Sequence, residues 1–293
     1  MPTRIAVIGT GTMGSAMVRR LVEAGHDVNS YDIAPQANGA AAEAGATVHD
    51  EVGAAVTGVE VCLLSLPGPD EVSSVTAAEG SLLAAEPAPR VIVDLSTVDP
   101  ATSRAAAERA RAAGIGYLDA PVLGRPGRCG NWTLPVGGDD TALEQARPTL
   151  EVLANQVIGV GPSGSGSVVK LLNNLMFAAI NAVTAECLAS AERVGIDPGV
   201  FVRTVADSGA ASVSNLFRDI GPRIVEGEYS PAFTLELLHK DVRLAERMLE
   251  EAGAEAVLAP VLVALGARGL DAGLGHLDTS ALVEVLKPAG REA

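Results

Sequence analysis

The chain has 293 residues, 48% hydrophobic, 19% charged and 3% aromatic, which is apolar mass enough for a real core in two modest domains and argues against disorder. Lys and Arg number 21 against 36 Asp and Glu, and the formal charge of -15 offers no basic footprint to a phosphate backbone, so nucleic acid is disfavoured as a partner. Cys62, Cys129 and Cys187 stand far apart, without a CxxC pair or clustered His, which suggests neither a disulfide framework nor a metal site and fits a reducing cytoplasm.

The apolar stretch after Arg4 is soon broken by glycines and runs into Arg19 and Arg20, so it does not read as an export signal. From Arg4 to about Gly161, short β-rich runs alternate with Ala-rich, helix-compatible stretches. The runs are Arg4 to Ile8, Asp27 to Tyr31, Val59 to Leu64, Arg90 to Leu95, Gly116 to Asp119, Trp132 to Val136 and Gln156 to Val160. Several are continuously apolar, as strands covered on both faces must be, and the alternation predicts an α/β fold with a doubly wound parallel sheet. The run Gly161-Pro-Ser-Gly-Ser-Gly-Ser167 breaks this pattern. The remainder to about Leu286 reads as helices, with turns near Gly195 to Pro198, Gly221-Pro222 and Gly227 to Pro231. Two domains are therefore expected: residues 1–162, built on the sheet, and an all-α domain over 163–293. The nearly charge-free stretch Leu171 to Ser190 holds Asn173, Asn174, Asn181 and Glu186, each expensive in lipid, so it reads as a helix buried in protein and not in a membrane.

Gly9-Thr10-Gly11-Thr12-Met13-Gly14 sets GxGxxG between the first strand and a helix that runs through Met17 to Glu23. Gly9 would make the tight turn, Gly11 would let the backbone approach a pyrophosphate, and Gly14 would allow close helix packing. The second strand ends at Asp32, where a carboxylate can accept hydrogen bonds from the adenosine ribose. Asp32 would repel the 2′-phosphate of NADP, and Ile33 supplies no compensating charge, so NAD is preferred to NADP.

Of the 21 basic residues only Lys170, Lys240 and Lys287 are lysines, so each invites a question. Lys170 and Asn174 lie at i and i+4 on one helix face after the glycine-rich turn, and Asn181 returns to within roughly 20° of the same azimuth. Movement of a hydride from a carbinol carbon requires proton movement at its oxygen, and an amine at hydrogen-bond distance can take that proton or return it. Asn174 would orient the same oxygen or the amine. Among the four histidines only His239, beside Lys240, is a minor candidate.

These motifs resemble the β-hydroxyacid dehydrogenase family through nearly the whole chain. The resemblance implies an N-terminal Rossmann domain followed by a helical substrate and dimerisation domain. It implies that Leu66-Pro67 lies against the cofactor and that, in Asp94-Leu-Ser-Thr-Val-Asp-Pro100, Ser96 and Thr97 lie near substrate and nicotinamide. Gly166, Lys170 and Asn174 match the GxxxKxxNN motif, whose Lys is the family's catalytic residue and whose last Asn helps to hold substrate. Phe233-Thr-Leu-Glu-Leu-Leu-His-Lys-Asp241 resembles a motif whose Lys, here Lys240, closes over the cofactor. One segment departs. After Ala120-Pro-Val122 the family's substrate-binding Ser-Gly-Gly is replaced by Leu123, Gly124 and Arg125, which suggests altered acid recognition, either of a second anionic group such as a sulfonate or phosphate or with Arg125 and Arg128 merely facing solvent. Trp132 is expected in the core of the following strand.

The expected function is NAD-dependent hydride transfer between nicotinamide and a small 3-hydroxy acid or its semialdehyde, in a homodimer or homotetramer. A reductase of a related sulfonate- or phosphate-bearing acid is the alternative. Imine reductases commonly lack a lysine at the position of Lys170, and a non-catalytic NAD-binding regulator would not need Lys170, Asn174 and Ser96.

Overall fold

The computed structural model describes residues 2–77, 82–208 and 214–287. It divides into two compact units, Met1–Lys170 and Leu171–Ala293, where the sequence suggests a boundary near residue 162.

The first unit carries eight strands: β1 (Arg4–Ile8), β2 (Asp27–Tyr31), β3 (Thr47–Val48), β4 (Val61–Leu64), β5 (Val91–Asp94), β6 (Gly116–Asp119), β7 (Trp132–Gly138) and β8 (Ala154–Gly161). Between them run α1 (Thr12–Glu23), α2 (Pro35–Glu43), α3 (Val52–Val56), α4 (Pro69–Val75), α5 (Pro100–Ala112) and α6 (Asp140–Leu153). The strands form one sheet in the order β3-β2-β1-β4-β5-β6-β7-β8. Both faces are covered, and side chains alternate between two cores. Ile5, Val7, Leu63 and Val93 pack on one side with α1 and α6, while Ala6, Ile8, Cys62 and Ile92 pack on the other with α3 and α5. This explains why β1, β4 and β5 read as unbroken apolar runs.

The sheet is parallel except at one seam. β7 pairs antiparallel with β6, and β8 then pairs parallel with β7. The chain between β6 and β7 contains only a 3-10 turn at Pro126–Arg128 and no crossover helix, and a parallel neighbour needs such a crossover. The expectation of a parallel sheet therefore holds from β1 to β6 and reverses at the last two strands.

α7 (Ser165–Arg193) begins in the first unit and continues into the second, which also holds α8 (Pro198–Asp207), α9 (Asn215–Glu226), α10 (Leu235–Glu251) and α11 (Ala259–Asp271). The turn expected at Gly221-Pro222 is absent, and α9 runs straight through both residues. Phe217, Ile220, Gly221 and Ile224 form its buried stripe, and a Cβ on Gly221 would stand 3.2 Å from Val202. Tertiary burial here outweighs the hydrogen bond that Pro222 cannot donate. By length and composition α7 could cross a membrane, yet Asn174 and Asn181 are buried within the protein and hydrogen-bonded there.

Candidate active site

The glycine turn after β1 is dictated by space. Gly9 has φ +87, and a Cβ on it would lie 2.3 Å from the Ser65 carbonyl oxygen. A Cβ on Gly14 would lie only 1.9 Å from the Gly9 oxygen, so α1 could not approach β1 with any side chain at that position. Gly11 differs, since a Cβ there would meet nothing within 4 Å. It is the N-cap of α1, no side chain caps it and no acid stands in the first turn, which leaves amide donors and open space together for an anion. Asp32 follows β2, and its carboxylate accepts from the Thr10 amide at 2.7 Å and the Ala34 amide at 2.8 Å. Asn38 brackets its backbone on both sides, so the acid is held in one orientation beside the turn. Ile33 is 86% exposed and brings no charge. This donor set fits a dinucleotide without a 2′-phosphate.

Two further turns leave neighbouring strands. Ser96 is buried, its hydroxyl accepts from the Leu66 amide at 2.9 Å, and its own amide donates to Asp94. Tyr117 donates its hydroxyl to the other Asp94 oxygen at 2.8 Å. Burial pushes the Asp94 carboxyl up, opposed by those hydrogen bonds, and pushes Tyr117 well up too. Pro67 is exposed and Thr97 half-buried on these same turns.

After β6 comes the segment that departs from the family pattern. Leu123 exchanges two backbone hydrogen bonds with Thr133 of β7. A Cβ on Gly124 would lie 2.3 Å from the Trp132 ring, so glycine is required there. Trp132 is fully buried, as expected, and its indole N–H donates to the Arg125 carbonyl at 2.8 Å. Arg125 is exposed at the tip, on a backbone fixed from beneath. Lys170 is half-buried, and its Nζ donates to the Val122 carbonyl at 2.8 Å.

Asp119 was not among the expected site residues. It is buried, and its two oxygens accept from the Gly164 amide at 2.7 Å and the Ser167 amide at 3.0 Å. Burial raises its carboxyl to about 6 despite those bonds.

In the second unit Asn174 is buried and donates to Asp241 at 2.6 Å, while Lys240 Nζ stands 2.9 Å from the other Asp241 oxygen. Asp241 thus brings together two residues named from the sequence, where it figured only as the last letter of a motif. Asn181, in line with Lys170 and Asn174 along α7, instead donates to the Thr279 carbonyl, so that part of the polar stripe is structural. His239 is packed against Gly266, and burial lowers its pKa.

A sheet whose winding reverses between β1 and β4 opens a crevice there, outside the strands' carboxyl ends, and a doubly wound sheet takes its dinucleotide in that crevice. The first unit is thus the dinucleotide-binding half of a nicotinamide-dependent oxidoreductase. Residues 4–161 match the family model for the NAD binding domain of 6-phosphogluconate dehydrogenase, and 164–286 match that for the NAD-binding of NADP-dependent 3-hydroxyisobutyrate dehydrogenase. The chain belongs to the β-hydroxyacid dehydrogenase family, NAD-binding oxidoreductases that act on the hydroxyl groups of small acids. A 3-hydroxyisobutyrate dehydrogenase of Pseudomonas aeruginosa is 35% identical over 250 residues, covering 83% of this chain and 84% of the relative. A 3-sulfolactaldehyde reductase of Escherichia coli is 30% identical over 287 residues, covering 97% and 95%. The solved structure of Mycobacterium tuberculosis 3-hydroxyisobutyrate dehydrogenase with L-serine is similar at a TM-score of 0.88 and 30% identity, covering 98% of this chain and 100% of that one.

The raised Asp119 carboxyl has a consequence for stability. With an ordinary value of 3.8 and a folded value of about 6, the folded state binds the proton more tightly. The stabilisation is fully present below about pH 4 and is lost as pH rises through about 6, a difference of roughly 3 kcal/mol. Urea unfolding at pH 4.5 and 7 should show wild type losing stability relative to Asp119→Asn across this window. Parallel pH dependences would contradict the assignment.

Proposed function

We propose that this chain oxidises a small 3-hydroxy acid with NAD, or reduces the matching semialdehyde, with Lys170 as the general acid/base. The observation that carries this reading is the position of Lys170, an amine held at 2.8 Å by the Val122 carbonyl on the turn that leaves β6. When bound, the nicotinamide accepts or supplies the hydride. Lys170 takes the proton from the substrate hydroxyl in oxidation and returns it to the carbonyl oxygen in reduction. Its half-buried setting limits competing water. The Val122 carbonyl holds the amine in place between turnovers.

Gly9, Thr10, Gly11, Thr12, Met13 and Gly14 would hold the pyrophosphate, with Asp32 on the ribose and Leu66, Pro67 and Thr97 toward the nicotinamide. In this reading Ser96 contributes by holding the Leu66 turn as well as by its nearness to substrate. Asn174 would orient substrate, with Asp241 fixing its amide, and Lys240 would approach the cofactor. Arg125 would bind an acid group, and its backbone, pinned by Trp132 through Gly124 and Leu123, supports a fixed subsite in place of the family's Ser-Gly-Gly. A substrate with a second anion, such as a sulfonate or phosphate, fits a guanidinium fork. Lys170 disfavours imine reduction and a purely regulatory role. We place the enzyme in the cytoplasm as a homodimer or homotetramer. Support for association comes from the exposed apolar stripe of Leu172, Met176 and Val183 on α7, 40%, 67% and 53% exposed.

Cofactor preference tests the Asp32 reading. One charge pair near 4 Å at an effective dielectric of about 20 is worth roughly 4 kcal/mol before screening, so NAD should exceed NADP in kcat/KM by about tenfold or more. Asp32→Asn with Ile33→Arg should move the preference toward NADP, and equal kcat/KM in wild type would contradict the assignment.

Replacing the proton carrier tests the chemistry. Lys170→Ala should lower kcat by roughly 10² to 10⁴ while NADH binding, measured by fluorescence titration, survives. Lys170→Arg keeps the charge but cannot deprotonate near neutral pH. Near wild-type kcat in Lys170→Arg, with its pH profile unmoved, would reduce Lys170 to an electrostatic anchor.

A further inference from the structure

Asp119 is 1% exposed, and it stands between the sheet and the first turn of the helix that carries Lys170. Its carboxylate lies in a cradle that only glycine permits. A Cβ on Gly137 would come within 2.6 Å and 2.9 Å of its two oxygens, and a Cβ on Gly166 would stand 2.3 Å from the Asp119 carbonyl and 2.6 Å from that of Pro135. The first turn of α7 is therefore pressed onto the backbone of β6 and β7 at the point where the carboxylate caps it, through the Gly164 and Ser167 amides. Ser167 is tied a second time, by its hydroxyl, to Ser103 of α5 at 2.9 Å.

The geometry has two rungs of equal offset. Asp119 bonds Ser167, and three residues further along each segment Val122 bonds Lys170. Segment 119–122 and helix turn 167–170 are thus joined at both ends, and the helix turn that carries Lys170 cannot slide along the end of β6 without stretching the carboxylate contacts. The charged and titratable neighbours of this carboxylate are Asp94, paired with it across the β5–β6 ladder, Tyr117 on its own strand and Arg104, whose guanidinium lies beside Gly164. None of them donates to Asp119 in place of the helix amides.

We propose that Asp119 is the positioning residue for Lys170, setting where the amine stands by fixing the first turn of α7 on the end of β6. This deepens, and rests on, the reading of Lys170 as the proton carrier. A buried carboxylate that lowers stability at neutral pH is hard to explain by folding alone, because an uncharged acceptor would cap the helix at less cost.

The test uses the full chain with NADH and the best acid or aldehyde substrate. Asp119→Asn keeps the shape but turns one acceptor into a donor facing an amide. It should lower kcat by roughly 10- to 100-fold, as misplacement of a catalytic group does, with KM and the NADH Kd within about threefold of wild type. Added to Lys170→Ala, the same substitution should cost no more than about twofold further, since there is no amine left to misplace. An equal loss in both backgrounds, or a loss confined to KM or NADH affinity, would make Asp119 a structural support and overturn the proposal. Wild-type kcat in Lys170→Ala would instead overturn the reading of Lys170, whatever Asp119→Asn does. If Asp119→Asn does not fold, Asp119→Ser removes the carboxylate without adding bulk to the glycine cradle. A fall in kcat at preserved KM then supports the proposal, and an unchanged kcat overturns it.

Discussion

Buried carboxyl groups stand at the ends of two neighbouring strands, β5 and β6, and the turns that leave these strands are tied to them. Asp94 and Asp119 are register partners in the ladder, and both are buried. Asp94 orders the Ser96 turn, and the Ser96 hydroxyl in turn holds the Leu66 amide. Asp119 holds the start of α7. Hydrogen bonds from backbone amides to a carboxyl are directional, so these two turns are set by the sheet as well as by their own sequences. Burial pushes both carboxyls up, against the hydrogen bonds that each accepts.

That dependence explains what could be read in advance. The GxGxxG turn was legible because its constraints are local: Gly9 needs a positive φ, and Gly14 must pass within contact of Gly9 five residues away. Asp32 followed from strand and helix lengths. Lys170 stood out because lysine is scarce in a chain that otherwise uses arginine. Asp119 and Asp241 were not legible as site residues, since their roles depend on which backbone amide or side chain the fold brings across 45 to 67 residues of sequence. The antiparallel turn at β7 was hidden for a related reason: its signal is the lack of a crossover helix, not any property of the strand. At Gly221-Pro222 the local break was genuine as chemistry, but the buried face of α9 outweighed it.

Segment 123–125 combines both kinds of information. The replacement at Leu123 to Arg125 is visible in the sequence, whereas the reason Gly124 must be glycine is the Trp132 ring beneath it. Trp132 is therefore no bystander. It fills the core of the first unit and, through its indole N–H, fixes the backbone from which Arg125 projects. A mobile arginine would bind anions weakly and without selectivity, whereas one on a fixed backbone loses less freedom on binding.

Hydride exchange between NAD and a small hydroxy acid is measured by following NADH at 340 nm with the wild-type chain and a panel of 3-hydroxy acids and semialdehydes, with and without a second anionic group. The expected result is saturable NADH formation or consumption that requires both the acid and the cofactor, and that is favoured for members with an anion placed to reach Arg125. Tight NADH binding without turnover of any member of the panel would contradict the claim.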